Sequence, residues 1–170
     1  MLAVEITGIP EMTARLEGME SRAGDPLAAF EAIYESFRSI EEKRWANEGP
    51  GWQALKPATV AEKARRGQHP GILDATGALR ASLTGKNAPG SVYEADPTGI
   101  TMGSDLKTDD GWGLGALHQH GTSRGLPVRK VIDASESHAL EWALILRNWI
   151  TDGVLEGGAV SIVGLGPRGL

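Results

Sequence analysis

Residues 51–83 read GWQALKPATVAEKARRGQHPGILDATGALRASL, and this is the most informative stretch of the sequence. Pro57 suits the first turn of a helix and therefore predicts a short helix over 57–66. A second short helix is expected near 75–84, after a Gly/Pro-rich break that separates the two. No enzyme chemistry explains the residue types in this stretch, although their order is far from generic.

A second signature follows further along the chain, where residues 117–122 read LHQHGT and residues 126–129 read LPVR. Together the two stretches resemble the phage virion morphogenesis family, the tail-completion and head–tail joining proteins of tailed bacteriophages. That family's pattern is W-x-x-L-x-x-x-T-x-x-x-K, then I-L-x-x-T-G-x-L-x-x-S, then H-Q-x-G and a P-x-R. The positions that match it, called the motif residues below, are Trp52, Leu55, Thr59, Lys63, Leu73, Thr76, Gly77, Leu79, Ser82, His118, Gln119, Gly121, Pro127 and Arg129.

Two places depart from the family pattern. Family members often carry Tyr-Ala shortly before the H-Q-x-G, whereas residues 114–116 of this chain read Leu-Gly-Ala. They often follow the P-x-R with Pro-Phe, whereas Lys130 and Val131 stand here. The subgroup to which the chain is most similar is therefore left open.

The resemblance implies a structural virion protein at the head–tail junction, acting as a neck, tail-completion or tail-terminator protein. Such a protein forms a homo-oligomeric ring, six-fold to match the tail, that joins the head connector to the tail tube. Its partners would be copies of itself and the neighbouring head-connector and tail proteins, and genome DNA would pass through the lumen without specific binding. The resemblance implies no catalytic, cofactor or metal site, and a place in the virion after assembly in the host cytoplasm.

The composition is that of an ordinary globular protein of one domain, with 170 residues, 41% of them hydrophobic and 23% charged. The net charge of −5 argues against a broad nucleic-acid-binding face. Because the chain has no cysteine, disulfides and thiol chemistry are excluded. We expect neither a secretory signal nor a membrane partner, since no basic segment precedes an apolar run and no apolar run is long enough to span a bilayer.

Two long amphipathic helices are predicted from apolar residues that recur every three or four positions. The first begins with Asp25 at the N-cap and Pro26 at the first helical position, and it ends near residues 47–50. The last helix begins at Asp133 or Ser135 and runs to about Thr151, with Gly153 as its stop. The segment before Asp25 is also helical, either as a separate short helix or as the first turns of the same one, with an apolar face of Met12, Leu16 and Met19.

A small sheet and flexible segments complete the predicted fold. Residues 91–96 and 99–103 flank a Pro-Thr step and predict a β-hairpin, with an apolar face from Val92, Ile100 and Met102. Residues 104–116 predict a mobile loop. The fold class is therefore α+β, with two long and two short helices packed on a small antiparallel sheet. We expect one domain over 1–152 and a glycine-rich extension over 153–170, containing one strand at 159–163.

The last helix is apolar around nearly its whole circumference, and such helices are buried on more than one side. Part of this surface is therefore expected to meet another subunit; the alternative is a core helix between the sheet and the first long helix. The interface residues predicted on it are Trp142, Leu146, Trp149 and Ile150. Trp112 is predicted as a further interface contact, because tryptophan is enriched in binding hot spots. Trp52 is expected to cap the core instead.

Other side chains offer chemistry that has to be weighed. His118 and His120 would share one face of a strand and suit zinc, but no residue is spaced to supply a third ligand. The resemblance instead favours a neutral, hydrogen-bonded His118 that holds the turn at Gly121. It also implies that Arg129 pairs with a carboxylate, in its own subunit or in a neighbour. The basic run of Lys63, Arg65 and Arg66 lies at the end of the predicted short helix, where positive charges interact favourably with the helix dipole. A phosphate contact is the alternative.

Two rival functions stay open at this point. One is a regulatory or adaptor domain from another class, for which the two signatures would be coincidence. The other is a metal-dependent hydrolase that uses His118 and His120. Metal analysis of the purified protein separates the hydrolase from the structural function, and the genes beside this one separate the adaptor.

Overall fold

The computed structural model describes residues 8–49 and 51–155, and the predicted α+β class is confirmed within these ranges. The strand predicted at 159–163 lies outside the described residues. Six helices and one antiparallel hairpin form in the described part of the chain, and both long and short helices are present. They are α1 (Ile9–Gly24), α2 (Leu27–Ala46), α3 (Pro57–Arg65), α4 (Ala78–Thr84), β1 (Ser91–Asp96), β2 (Gly99–Ser104), α5 (Leu114–His120) and α6 (Glu136–Asp152).

Helix α2 forms the centre of the domain, because its buried residues recur at helical spacing and face neighbours on several sides. Hairpin β1–β2, α4 and α6 all contact it. Its start differs by one residue from the prediction: Pro26 is the N-cap of α2, and Asp25 instead ends α1 by donating its N–H to Ser21 O. Helix α1 is thus a separate helix rather than the beginning of α2.

A glycine lies in the turn that follows α2, whose last residue is Ala46. Gly49 has φ +64°, and a Cβ at this position would lie 1.9 Å from the indole ring of Trp52. Trp52 therefore packs directly over the end of α2, where its ring meets that of Trp45 edge-on at 5.3 Å. Its Nε1 donates a hydrogen bond to Lys130 O, which ties the loop before α6 to the loop before α3.

The hairpin has two of the three residues predicted for its apolar face, Ile100 and Met102, on the core side. Its register pairs Tyr93 with Met102 and Ala95 with Ile100, and these residues pack on the core. Because successive strand residues point to opposite faces, Val92, which pairs with Gly103, lies on the other side of the hairpin. The prediction that Val92 belongs to the core face was wrong.

Two apolar clusters fill the domain, one packed on the C-terminal part of α2 and the other on its N-terminal part. The first joins α2 to α4 and to the loops that hold Trp52 and Val131, and the second joins α2 to α6. Ile100 and Met102 pack against both clusters, so the hairpin links them. None of the described helices is long and apolar enough to cross a membrane.

Helix α6 is closed at both ends by its own sequence. Of the two predicted starts, Ser135 is the N-cap: its Oγ accepts from His138 N–H, and His138 Nδ1 accepts from Ser135 N–H. Gly153 follows its last residue, as predicted. Helix α1 lies across the C-terminal end of α6, where Arg22 donates to the carbonyls of Ile150 and Thr151.

The predicted loop over residues 104–116 is more ordered than expected. Lys107 and Gly113 form an isolated β-bridge, and Thr108 N–H donates to Trp112 O, so the segment folds back on itself. Helix α5, which was not predicted, then begins at Leu114 and includes both histidines of the second signature. The seven residues of α5 are too few for a helical period to emerge from the sequence.

Candidate functional site

The motif residues converge on one cavity of about 340 Å³, called the motif cavity below, which lies between α3, α4 and α5. Five residues from these helices and from the loops beside them define it well: Leu55, Lys63, Leu79, His118 and Arg129. The two signatures lie far apart in the sequence, yet the fold brings them to the same walls. In all, nine of the fourteen motif residues line it, the others being Thr59, Leu73, Thr76 and Gly77.

Lys63 is turned into the protein rather than toward solvent. Its side chain is buried, and Nζ donates to Gly71 O at 2.5 Å and Asp74 O at 3.4 Å. These bonds fasten the loop between α3 and α4 to α3. The predicted basic run is therefore divided, because Arg65 and Arg66 are exposed and both pair with Glu62.

Arg129 is also buried, and its guanidinium donates hydrogen bonds to a main-chain carbonyl. Nε and Nη2 donate to Gln53 O at 3.1 and 2.9 Å, which joins the segment before α6 to the segment before α3. No carboxylate of the described residues lies within 4.0 Å of it. The expected pairing with an acidic group of the same subunit is thus not found among these residues.

His118 lies in the cavity wall and, among the described residues, lacks the side-chain hydrogen bond that was predicted for it. Its main-chain carbonyl accepts from Arg129 N–H at 2.8 Å, but its Nδ1 is buried and has no hydrogen-bond partner among the described residues. Burial, and secondly the charge of Arg129, lower the pKa of His118, which favours the neutral imidazole. The side-chain hydrogen bond expected to hold the turn is absent from the described part of the chain.

Gln119, and not its neighbour His118, holds the chain after α5 by side-chain hydrogen bonds. Its Oε1 accepts from the N–H groups of Val131 and Ile132 at 2.7 and 3.1 Å, and its Nε2 donates to Ile132 O at 2.8 Å. One amide side chain thereby satisfies three main-chain groups, as a short strand would. Sequence reasoning missed this role, although the position of Gln119 two residues before the turn glycine Gly121 was a usable signal.

Gly121 makes the turn after α5 possible. Its φ is +68°, and a Cβ there would lie 2.7 Å from Leu126 O. A larger residue would therefore force the chain apart where Thr122 N–H donates to Leu126 O. Pro127 follows and lines a second cavity of about 310 Å³ next to the first, which shares Arg129 with it.

The other motif residues take part in the core. Ser82 is fully buried, with its Oγ 2.8 Å from both Leu79 O and Ser104 Oγ, so it joins α4 to β2. Leu73 has a left-handed backbone with φ +58°, which is unfavourable for a bulky residue. Its side chain packs against the first apolar cluster, and that packing offsets the strain.

The paired histidines do not share a face. Both lie in α5, and residues two apart in a helix project about 200° from each other. The strand geometry on which a two-histidine metal site depended is therefore wrong. Among the described residues, no group of three or more histidines and carboxylates is placed to hold a metal ion.

Comparisons with protein-family models, curated proteins and solved structures found no match to this chain.

The interface residues predicted on α6 lie partly against their own chain. Trp142 Nε1 donates to Ser36 Oγ at 3.1 Å, and Trp149 Nε1 donates to Asp25 O at 3.3 Å. With Leu146 they pack on the second cluster and are half-buried, as is Ile150. Their part in a subunit contact stays a prediction.

The most exposed apolar side chains lie elsewhere. Trp112 is 66% exposed at the tip of its turn, and Ile9, Met12 and Leu16 are each more than half exposed along one face of α1. The periodicity of α1 was recognised from the sequence, but the helix was not predicted as a contact surface. Exposed apolar stripes of this kind are typical of protein–protein contacts.

Proposed function

We propose that this chain is a structural virion protein of a tailed phage, which forms a homo-oligomeric ring at the head–tail junction. The ring, six-fold to match the tail, joins the head connector to the tail tube as a neck, tail-completion or tail-terminator protein. The observation that carries the proposal is the convergence of both signatures on one cavity, where their polar groups fasten loops. Most of the residues that carry the resemblance therefore lie together in the fold, which is expected if the resemblance extends from the sequence to the structure.

The distribution of apolar side chains supports assembly with other chains. Helix α1 presents Ile9, Met12 and Leu16 to solvent, and Trp112 is exposed on a separate turn. In a closed ring every subunit makes two different contacts, one with each neighbour. Two separate apolar surfaces on one chain fit that requirement better than a single self-complementary patch.

The acidic charge supports the proposed passage of DNA through the ring. The net charge of −5 disfavours non-specific attachment of the DNA backbone. We therefore propose a lumen through which genome DNA moves without specific binding. A lumen lined mainly by lysine and arginine in an assembled ring would contradict this part of the proposal.

The rival functions have less support. A hydrolase built on His118 and His120 would need both imidazoles at one ion, and their places on opposite sides of α5 oppose this. An adaptor from another class agrees with the composition, but it leaves the common cavity of the two signatures without an explanation. A structural role at the head–tail junction accounts for both the composition and the common cavity of the two signatures.

Gene disruption with complementation tests the proposed function. In the genome that carries this gene, a disrupted copy should yield filled heads and complete tails that remain unjoined in electron micrographs. A plasmid copy of the normal gene should restore joined particles, and a copy with a stop codon early in α2 serves as the matched control. Normal yields of infectious particles from the disrupted genome would overturn the proposal.

A further inference from the structure

The described walls of the motif cavity contain two buried cations and no aspartate or glutamate. Lys63 and Arg129 are only 8% and 7% exposed. In the part of the chain that the structure describes, no carboxylate oxygen lies within 4.0 Å of either. Buried charges are costly unless they are paired, so two such groups in one cavity require an explanation.

The bonds that these cations make are to neutral acceptors and leave donors unused. Lys63 Nζ has three protons and contacts the carbonyls of Gly71 and Asp74. Arg129 uses Nε and Nη2 on one carbonyl, while its Nη1 makes no hydrogen bond to any described residue. Each cation can therefore donate to a further group in the cavity.

A third polar group in the same walls also lacks a partner. His118 Nδ1 is buried without a hydrogen bond among the described residues. A buried polar atom without a partner destabilises the protein, and a ligand that forms a hydrogen bond with it removes that cost. Two cations and one neutral imidazole form a set of groups suited to a small anion with oxygen atoms.

The remaining walls select for an aliphatic group beside that anion. Leu55, Leu73, Leu79, Leu114 and Leu126 line the cavity. Its volume of about 340 Å³ fits one or two side chains. Duplex DNA is too wide to bring its phosphates to cations buried behind such walls, so a protein segment fits better.

The surroundings of the cavity have the same charge preference. Lys56 lines the neighbouring cavity that contains Pro127. Arg66 and Arg80 line a third cavity, which shares lining residues with the motif cavity. Asp74 is the one carboxylate along the described walls of the three cavities, and it faces Arg80 at 3.6 Å. On a chain of net charge −5, this is a locally basic surface.

We propose that the motif cavity binds the carboxylate of an acidic peptide segment from a neighbouring protein chain, while an aliphatic side chain of that segment packs among the leucines. The carboxylate accepts from Arg129 and Lys63, and the basic surroundings attract the segment. The presence of such a neighbour rests on the proposed function, but the chemistry of the cavity does not.

Binding of a small probe tests the chemistry of the cavity in the full-length protein. The probe is 4-methylpentanoate, which joins a carboxylate to a leucine-like group, and 4-methylpentanamide is its neutral control. Resonances of the His118 imidazole and of the cavity leucine methyls are followed by NMR up to about 20 mM probe, which detects a Kd in the millimolar range. We expect saturable shifts with the carboxylate and at least about tenfold weaker binding of the amide.

Two variants and one control locate the interaction. Arg129→Gln should abolish saturation by the carboxylate, and Arg124→Gln, an exposed arginine outside the cavity, should not change it. If Arg129→Gln does not fold, the exposed Lys56→Gln variant decides instead, with weaker binding and a smaller effect of salt expected.

Three results would overturn this inference: no saturable shift, equal binding of the acid and the amide, or tighter binding of inorganic phosphate at the same ionic strength. The phosphate result would identify a phosphate site instead. Failure of the gene-disruption experiment leaves these binding results unaffected, and failure of probe binding leaves the proposed ring unaffected. The two proposals therefore fail separately.

Discussion

Glu41 should make this protein less stable as the pH rises from acid to neutral. Its side chain is 1% exposed on α2 beside Arg44, with Oε2 3.3 Å from Arg44 Nε. Burial raises the pKa of Glu41 from 4.5 to about 7, although the charge and hydrogen bond of Arg44 act in the opposite direction. Asp133 adds a smaller increase to this pKa, and the backbone carbonyl of Asp133 also occupies Arg44 Nη2.

The size and sign of the effect follow from proton linkage. An acid with a raised pKa in the folded state contributes its full stability below the unfolded pKa near 4.5, and loses it as the pH rises through about 7. The difference between about 7 and 4.5, at about 1.4 kcal/mol per pKa unit, corresponds to about 3 kcal/mol. Replacement of Glu41 by glutamine keeps the shape and removes the ionisation.

Urea unfolding followed by tryptophan fluorescence measures this effect. The free energy of unfolding of the normal protein, minus that of Glu41→Gln, should fall by about 3 kcal/mol between about pH 4 and about pH 8. Glu42→Gln, at the exposed neighbouring position, is the control and should give a nearly constant difference. A difference that rises with pH would refute the reasoning, because it would mean that the pair with Arg44 outweighs burial.

Four further substitutions test other parts of the structure. Gln119→Leu leaves three main-chain groups unsatisfied and should lower the free energy of unfolding by about 2–4 kcal/mol in urea; a loss below about 1 kcal/mol would contradict the fastening role. Gly121→Ala should lower the melting temperature by several degrees or more, and an unchanged value would mean that the turn relaxes freely. Trp52→Phe removes the bond to Lys130 O and should cost about 1–2 kcal/mol, whereas a neutral result would make that bond dispensable. Leu16→Asp should weaken self-association in sedimentation experiments without loss of helix content, and unchanged association would exclude this face of α1 from the contact.

Much of the fold was predictable because it depends on local signals. The apolar spacing of α2, the proline at the start of α3 and the Ser135 and Gly153 ends of α6 are each contained within one short window of sequence. Helix α5 was missed since its seven residues include only two leucines, and its stability comes from packing rather than from a repeated pattern. Val92 was misassigned because the register of a hairpin, which determines the inward face, is not visible in composition.

The candidate site was predictable as a set of residues but not as an arrangement. Leu55 and His118 were singled out without any indication that they line the same cavity, because contacts between distant segments depend on the whole fold. The partners of buried polar groups were harder still. Lys63, Arg129 and Gln119 all bond to main-chain groups. Because almost every residue carries the same main-chain groups, the sequence does not show which of them a side chain will bind.

Electron cryomicroscopy of intact particles, produced from the genome that carries this gene, tests the proposed role most directly. We expect a closed ring of identical copies of this fold between the head connector and the tail tube, with DNA in its lumen. The exposed face of α1 or the turn at Trp112 should contact adjacent chains in that ring. Mature particles in which heads and tails are joined without any copy of this chain would contradict it.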